Sequence, residues 1–335
     1  MTHASAPGKI ILFGEHAVVY GQPALAVPIN QVHTDADVSD SDRAGIWVNA
    51  PDIRLHAELS GLALDDALAA TISMVCSALN IDFARRASSA EAISSLSDET
   101  ASQKDARRVI PDGIEIKVTS SIPLASGLGS GAAVSVAIIR ALSAHLGQPF
   151  TDEQVNEIAY EVEKIHHGTP SGIDNTVVTY GKPIFFIKEQ PIELLHVAKP
   201  FTIIIGDTGI PAPTKESVRD VRKLWEQDKR RMETLFGVAG ALAKTARQAI
   251  EGGHPERLGA LMNENQRVLT EIGVSSPELD RLVEASRKAG ASGAKLSGGG
   301  RGGNMIALST KENAEKVVDA LYIAGAKNVI VTEVT

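Results

Sequence analysis

Three ionisable side chains stand beside glycine-punctuated stretches of this 335-residue chain. Lys9 directly follows Gly8. Glu163 lies toward the end of a helical pattern. Asp174 sits in the segment His167-Gly168-Thr169-Pro170-Ser171-Gly172-Ile173-Asp174-Asn175. These are the parts phosphoryl transfer needs: cationic charge against phosphate oxygens, a carboxylate to hold Mg2+, and a group that orients or deprotonates an acceptor hydroxyl. Taken singly, each has a plainer reading: Lys9 as a solvated charge, Glu163 as a surface helix residue, Asp174 as a turn-forming Asx residue. The adjacent pair His166-His167 points to different sides of a helix, which is poor spacing for one metal ion.

The glycine runs give these groups something to act on. The strongest is Pro123, Leu124, Ala125, Ser126, Gly127, Leu128, Gly129, Ser130, Gly131, Ala132 and Ala133, between a predicted strand and a predicted helix. Glycines let successive N–H groups turn into one concavity, and a helix N-terminus adds partial positive charge, so the run suits a phosphate cradle; the alternative is a plain turn before a tightly packed helix. No Walker A loop is present, since neither Gly8-Lys9 nor Gly181-Lys182 has the required spacing. Gly298, Gly300 and Gly303 match the dinucleotide spacing, but a strand rather than a helix should follow them. Lys295 to Gly303 reads as a flexible second wall near the phosphates or as a mobile surface loop.

The elements that must position these groups follow from hydrophobic periodicity. Strands are expected over 9–13, 24–29, 114–118, 184–187, 201–205, 305–308 and 329–334. Helices are expected over 64–79, 132–146, 152–166 (after the Thr151 cap), several between 215 and 288, and 311–324. Residues 84–108 carry few large apolar side chains and read as a mobile insertion or a loosely held helical hairpin. The order is α+β, with a boundary placed between 1–185 and 186–335.

Composition narrows the function classes. A net charge of -8 argues against a general nucleic-acid binder. One cysteine, Cys76, excludes an intrachain disulfide and a cysteine-based metal site. Aromatics are only 4%, so the core must be mostly aliphatic. The first residues lack a secretory pattern and no apolar run reaches the roughly 20 residues that span a bilayer, so a cytoplasmic protein with no membrane partner is expected.

Four stretches carry a family resemblance. Ala6 to Gly21 (Ala-Pro-Gly-Lys-Ile-Ile-Leu-Phe-Gly-Glu-His-Ala-Val-Val-Tyr-Gly) resembles the first motif of mevalonate kinases. Pro123 to Ala133 resembles the nucleotide-binding motif of the GHMP kinases. His167 to Asn175 resembles the mevalonate kinase H-G-x-P-S-G-x-D-N motif, and Lys295 to Gly300 resembles the glycine-rich third GHMP motif. The resemblance implies a two-lobed α+β fold, an N-terminal lobe like ribosomal S5 domain 2 and a ferredoxin-like C-terminal lobe. It implies ATP and Mg2+, with phosphorylation of the 5-hydroxyl of mevalonate on the route to isoprenoids. By motif position, Asp174 would be the catalytic base or hydroxyl-orienting residue, with Lys9 stabilising charge beside it. Glu163 and Ser130 would serve Mg2+, and the 123–133 loop would wrap the triphosphate. Glu15, His16 and Tyr180 would line the acceptor pocket, and Thr214 would stand near the γ-phosphate.

Gly131 replaces the second of the paired serines in the family's nucleotide motif, and Arg301 and Asn304 stand where the family often has Gly and Cys. Arg301 would contact phosphate or face solvent. Alternatives are phosphomevalonate kinase, another GHMP small-molecule kinase, a related decarboxylase, or a catalytically silent ATP-binding sensor, which Gly131 alone favours. A homodimer is common in the family.

Overall fold

The computed structural model describes residues 1–63, 65–82, 108–109, 113–123, 126–167, 170–212 and 214–335. The expected insertion over 84–108 therefore lies outside the described residues except for Arg108, as do Leu124 and Ala125 of the candidate phosphate loop and Gly168 and Thr169 before Asp174. In chain order the elements are β1 (Thr2–Phe13), β2 (Ala24–Ser41), β3 (Ile46–Ala50), β4 (Leu55–Glu58), α1 (Ala67–Ala78), β5 (Ile81–Asp82), β6 (Arg108–Val109) and β7 (Gly113–Ser120). Then come α2 (Ser130–His145), α3 (Asp152–His167), α4 (Ile173–Tyr180), β8 (Ile184–Phe186), β9 (Glu193–Leu194) and β10 (Phe201–Asp207). The chain ends with α5 (Thr214–Gln227), α6 (Lys229–Glu251), α7 (Leu258–Ile272), α8 (Pro277–Lys288), β11 (Gly293–Ser297), β12 (Asn304–Ser309), α9 (Lys311–Ile323) and β13 (Asn328–Val334).

Helix starts follow local chemistry. The Asp66 carboxylate accepts from the N–H groups of Leu68 and Ala69 and opens α1. Thr151 and Gln154 bond reciprocally, each side chain to the other's N–H, and open α3. The Ser276 hydroxyl accepts from Leu279 N–H before Pro277, which has no N–H to lose. Each such cap contributes about 1 kcal/mol.

Among the elements that the sequence reading did not anticipate, two carry candidate site residues. β11 is a fully buried strand that carries a lysine, so it shows no apolar alternation. α4 contains Thr176, Val177, Val178 and Thr179, whose β-branched side chains favour strand. Packing overrides that preference: Ile173 and Val177, one turn apart, are buried with Ile11, Val18, Ala24, Ala26, Ile184 and Phe186. Each such aliphatic side chain contributes roughly 1.5–3 kcal/mol when fully buried.

The chain forms two compact units, each built from several segments of the sequence. The first comprises Met1–Ala6, Thr34–Ser120 and Gly131–Gly168; the second comprises Pro7–His33, Ser121–Ser130 and Thr169–Thr335. In the first, β7 pairs antiparallel with the later half of β2 and parallel with β3, which pairs antiparallel with β4. In the second, the start of β2 pairs with β8, and β8 with β9. A separate antiparallel sheet there has the order β11-β12-β10-β13. Its core is mostly aliphatic, with Met232, Met305 and Phe236 among the buried side chains, and Tyr20 stacks on Phe236 with centroids 4.2 Å apart. Among the described residues no helix is long and apolar enough to cross a membrane.

Candidate active site

Lys9 and Ile11 share one face of β1, two residues apart. Ile11 packs against Ile173 and Val177 of α4, so Lys9 is brought beside the first turn of that helix. Asp174 occupies that turn, behind Gly172 at φ 89°, rather than a free-standing Asx turn. The Lys9 ammonium meets Asp174 Oδ1 at 2.9 Å. Lys9 is 3% exposed, which rules out the solvated-charge reading. A third of the Asp174 side chain remains open, so its carboxylate can meet a ligand.

The phosphate-loop candidate adjoins this pair. Lys9 N–H donates to Leu128 O at 2.9 Å. Gly129 holds φ 77°, and a Cβ there would stand 2.8 Å from Lys9 Cγ, so only glycine lets the loop lie on the lysine stem. Gly127 also has positive φ, at 85°. Two positive-φ glycines in a loop whose backbone lies on a buried lysine stem suit a polyphosphate. Ser130 opens α2 and is partly exposed. Gly131, Ala132 and Ala133 continue that helix and belong to the first unit.

Glu15 and His16 are buried at 1% and 6% exposure. The Glu15 carboxylate forms an ion pair with Lys295 of β11, both side chains fully enclosed, and the same ammonium donates to Leu296 O at 2.6 Å. Burial pushes the Glu15 carboxyl above its ordinary value, with the Lys295 charge opposing it, and lowers the Lys295 ammonium. Glu15 Oε2 has no partner among the described residues. Lys295 to Gly303 is thus no flexible wall: its first three residues are buried strand. The turn after them is braced, since Arg301 N–H donates to Val274 O at 2.8 Å and its guanidinium reaches Asp220 Oδ2 at 2.7 Å. A lysine flanked by Ala294 and Leu296 was the signal in the sequence for this buried partner of Glu15.

His16 adopts φ 59°, rare for a non-glycine residue. Its Nε2 donates to Gly299 O at 3.1 Å, which fixes the tautomer with Nδ1 bare. Burial lowers its pKa to about 4, the Arg301 charge acting in the same direction, so the ring is neutral at pH 7. In the unfolded chain its ordinary value is 6.5, so the unfolded state binds the proton first. His16 should therefore cost stability as pH falls from about 6.5 to about 4, by up to roughly 3 kcal/mol. Urea melts across that range check it: His16→Asn should be less acid-sensitive than the parent, and an equal slope would remove His16 as the cause.

Thr214 opens α5 and sets its hydroxyl against Gly299. Tyr180 closes α4, partly buried. Glu163 lies on α3 in the first unit and is 9% exposed, so it is not a surface residue. The second unit thus gathers Lys9, Asp174, Glu15, His16 and Thr214 with the 126–130 loop.

The family descriptions "GHMP kinases N terminal domain" and "GHMP kinases C terminal" match residues 83–182 and 246–327. A mevalonate kinase of Thermococcus sibiricus is 38% identical over 333 residues, 98% of this chain and 94% of its own length. The chain belongs to the mevalonate kinase family of GHMP kinases. Another member, from Pyrococcus horikoshii, is 37% identical over 331 residues, 96% of this chain and 92% of that one. Among solved mevalonate kinases, that of L. major in complex with R-mevalonate superposes with a TM-score of 0.80 at 29% identity, covering 100% of this chain and 96% of the other. The Methanococcus jannaschii enzyme shares the GHMP fold, with a TM-score of 0.78 at 23% identity, 99% of this chain and 96% of its own. The fold is α+β with N- and C-terminal GHMP kinase domains.

Proposed function

We propose that this chain transfers the γ-phosphoryl group of ATP to the 5-hydroxyl of mevalonate, giving 5-phosphomevalonate and ADP. The observation that carries the reading is the Lys9–Asp174 pair at 2.9 Å against the 126–130 loop, in a chain 38% identical to a mevalonate kinase along its length. Lys9 occupies Asp174 Oδ1, which leaves Oδ2 to accept the hydroxyl proton. The acceptor oxygen bonds to phosphorus as the bond to the β–γ bridging oxygen breaks, and Lys9 balances charge beside both. Glu15, His16 and Tyr180 hold the acceptor, Thr214 stands by the γ-phosphate, and Pro123 to Ala133 holds the triphosphate.

Glu163 and Ser130 are the Mg2+ ligands in this proposal; a carboxylate and a hydroxyl are the oxygen donors a hard cation takes. Mg2+ would neutralise phosphate charge there. With Gly131 supplying no hydroxyl, most of the affinity falls to Glu163. Glu163→Ala should raise the Mg2+ concentration for half-maximal activity by about tenfold or more. An unchanged Mg2+ titration removes Glu163 from the site. The proposal also includes a cytoplasmic setting and a homodimer, as is common in the family.

Phosphorus NMR of the protein with Mg-ATP and mevalonate tests the reaction itself. The reading requires a new phosphomonoester resonance growing in step with ADP. ADP and inorganic phosphate without that resonance would mean hydrolysis instead.

A further inference from the structure

Asn304 stands at the start of β12, paired with Asp207 of β10 on one side and Ser297 of β11 on the other. Its backbone is therefore fixed by two strands, and the residue is 1% exposed. Its Nδ2 donates to Ser126 O at 2.6 Å, and its Oδ1 has no partner among the described residues. Only the amide NH2 can donate to a carbonyl, so the orientation of the side chain is set by chemistry. The preceding residue, Gly303, holds φ 69°, and a Cβ on it would stand 2.9 Å from the same Ser126 oxygen. The turn and the phosphate loop thus touch with no room for another side chain between them.

The turn is anchored elsewhere as well. Gly303 N–H donates to Ile210 O, and Gly303 O accepts from Thr208 N–H and hydroxyl. Arg301 reaches Asp220 of α5. Asn304 therefore projects from a braced frame onto a loop held locally by the Ser126 hydroxyl on Pro123 O and, two residues on, by Lys9 N–H on Leu128 O.

We propose that Asn304 is a positioning residue for the nucleotide, setting the phosphate loop before ATP arrives by holding the Ser126 carbonyl. The inference rests on the reading of Pro123 to Ala133 as the triphosphate cradle. The peptide unit joining Ser126 to Gly127 is planar and trans, so its carbonyl and the Gly127 N–H point in opposite directions. Fixing the oxygen against Asn304 aims that N–H away from β12. A loop aimed in advance binds more tightly than one ordered on binding.

Calorimetry with MgADP as probe, alongside kinetics and melting curves, tests this on Asn304→Ala, Asn304→Cys and Asn304→Asp. The alanine variant should bind MgADP about tenfold more weakly, as loss of one buried hydrogen bond implies. The aspartate variant, equal in shape but turning an acceptor toward a carbonyl, should bind more weakly still, and the cysteine variant, with a weak S–H donor, should fall between parent and alanine. KM for MgATP should rise in the same order, with kcat and the acceptor KM within about twofold of the parent. Unchanged MgADP affinity in folded Asn304→Asp, or in Asn304→Ala should the aspartate not fold, overturns the proposal. So does a loss spread equally over kcat and both KM values in proportion to lowered melting temperature. A parent protein that binds no MgADP would overturn the cradle reading itself.

Discussion

Asp174→Ala should lower kcat by about three orders of magnitude or more while leaving MgADP affinity near that of the parent. The Asp174 carboxylate is the acceptor of the hydroxyl proton in the proposed reaction, and no other carboxylate is recorded within ion-pair distance of Lys9 among the described residues. Because Lys9 is buried, the alanine variant leaves an unpaired cation, so Asp174→Asn is the cleaner companion. It keeps the shape and removes the basic oxygen, and its kcat should fall to a similar degree. Near-normal turnover in either variant would assign the proton to another acceptor and remove the main chemical role proposed here.

The second large effect concerns stability. Lys295→Met should lower the free energy of unfolding by about 3–5 kcal/mol, because Glu15 is left as a fully buried charge without its partner. The loss should depend on pH. Without the opposing ammonium, burial raises the Glu15 carboxyl further above 4.5, so the folded state holds a proton that the unfolded chain releases. Stability is then greatest in acid and falls as pH rises through the folded value. The double variant Glu15→Gln with Lys295→Met removes both charges at nearly constant volume and should regain most of the loss. Acceptor binding should stay impaired in it, since Glu15 is proposed to line that pocket. Guanidinium melts at pH 5 and pH 8 check this; a deficit equal at both, unrelieved in the double variant, would mean lost packing rather than lost charge pairing.

Much of this was legible in the sequence. Helix α3 announces itself through the cap at Thr151 and through apolar spacing, because local bonding and one buried face decide it. Lys9, Asp174 and the 123–133 run were nominated by residue type and spacing. Their convergence was not derivable, because Ile11 packing on α4, which sets the distance between Lys9 and Asp174, is a contact across more than 160 residues of chain. The pairing of Glu15 with Lys295 was hidden for the same reason: the apolar neighbours of Lys295 point to burial, but its partner lies 280 residues away in sequence. α4 was hidden by its own β-branched residues, whose local preference loses to burial. Arg301, left open between phosphate and solvent, has its guanidinium on Asp220.

The most direct test of the central claim is ADP release from Mg-ATP across mevalonate, 5-phosphomevalonate, galactose and homoserine. Turnover with mevalonate and background rates with the other three is the predicted result. Turnover with another member of the panel and none with mevalonate, in protein shown to bind MgADP, would contradict it.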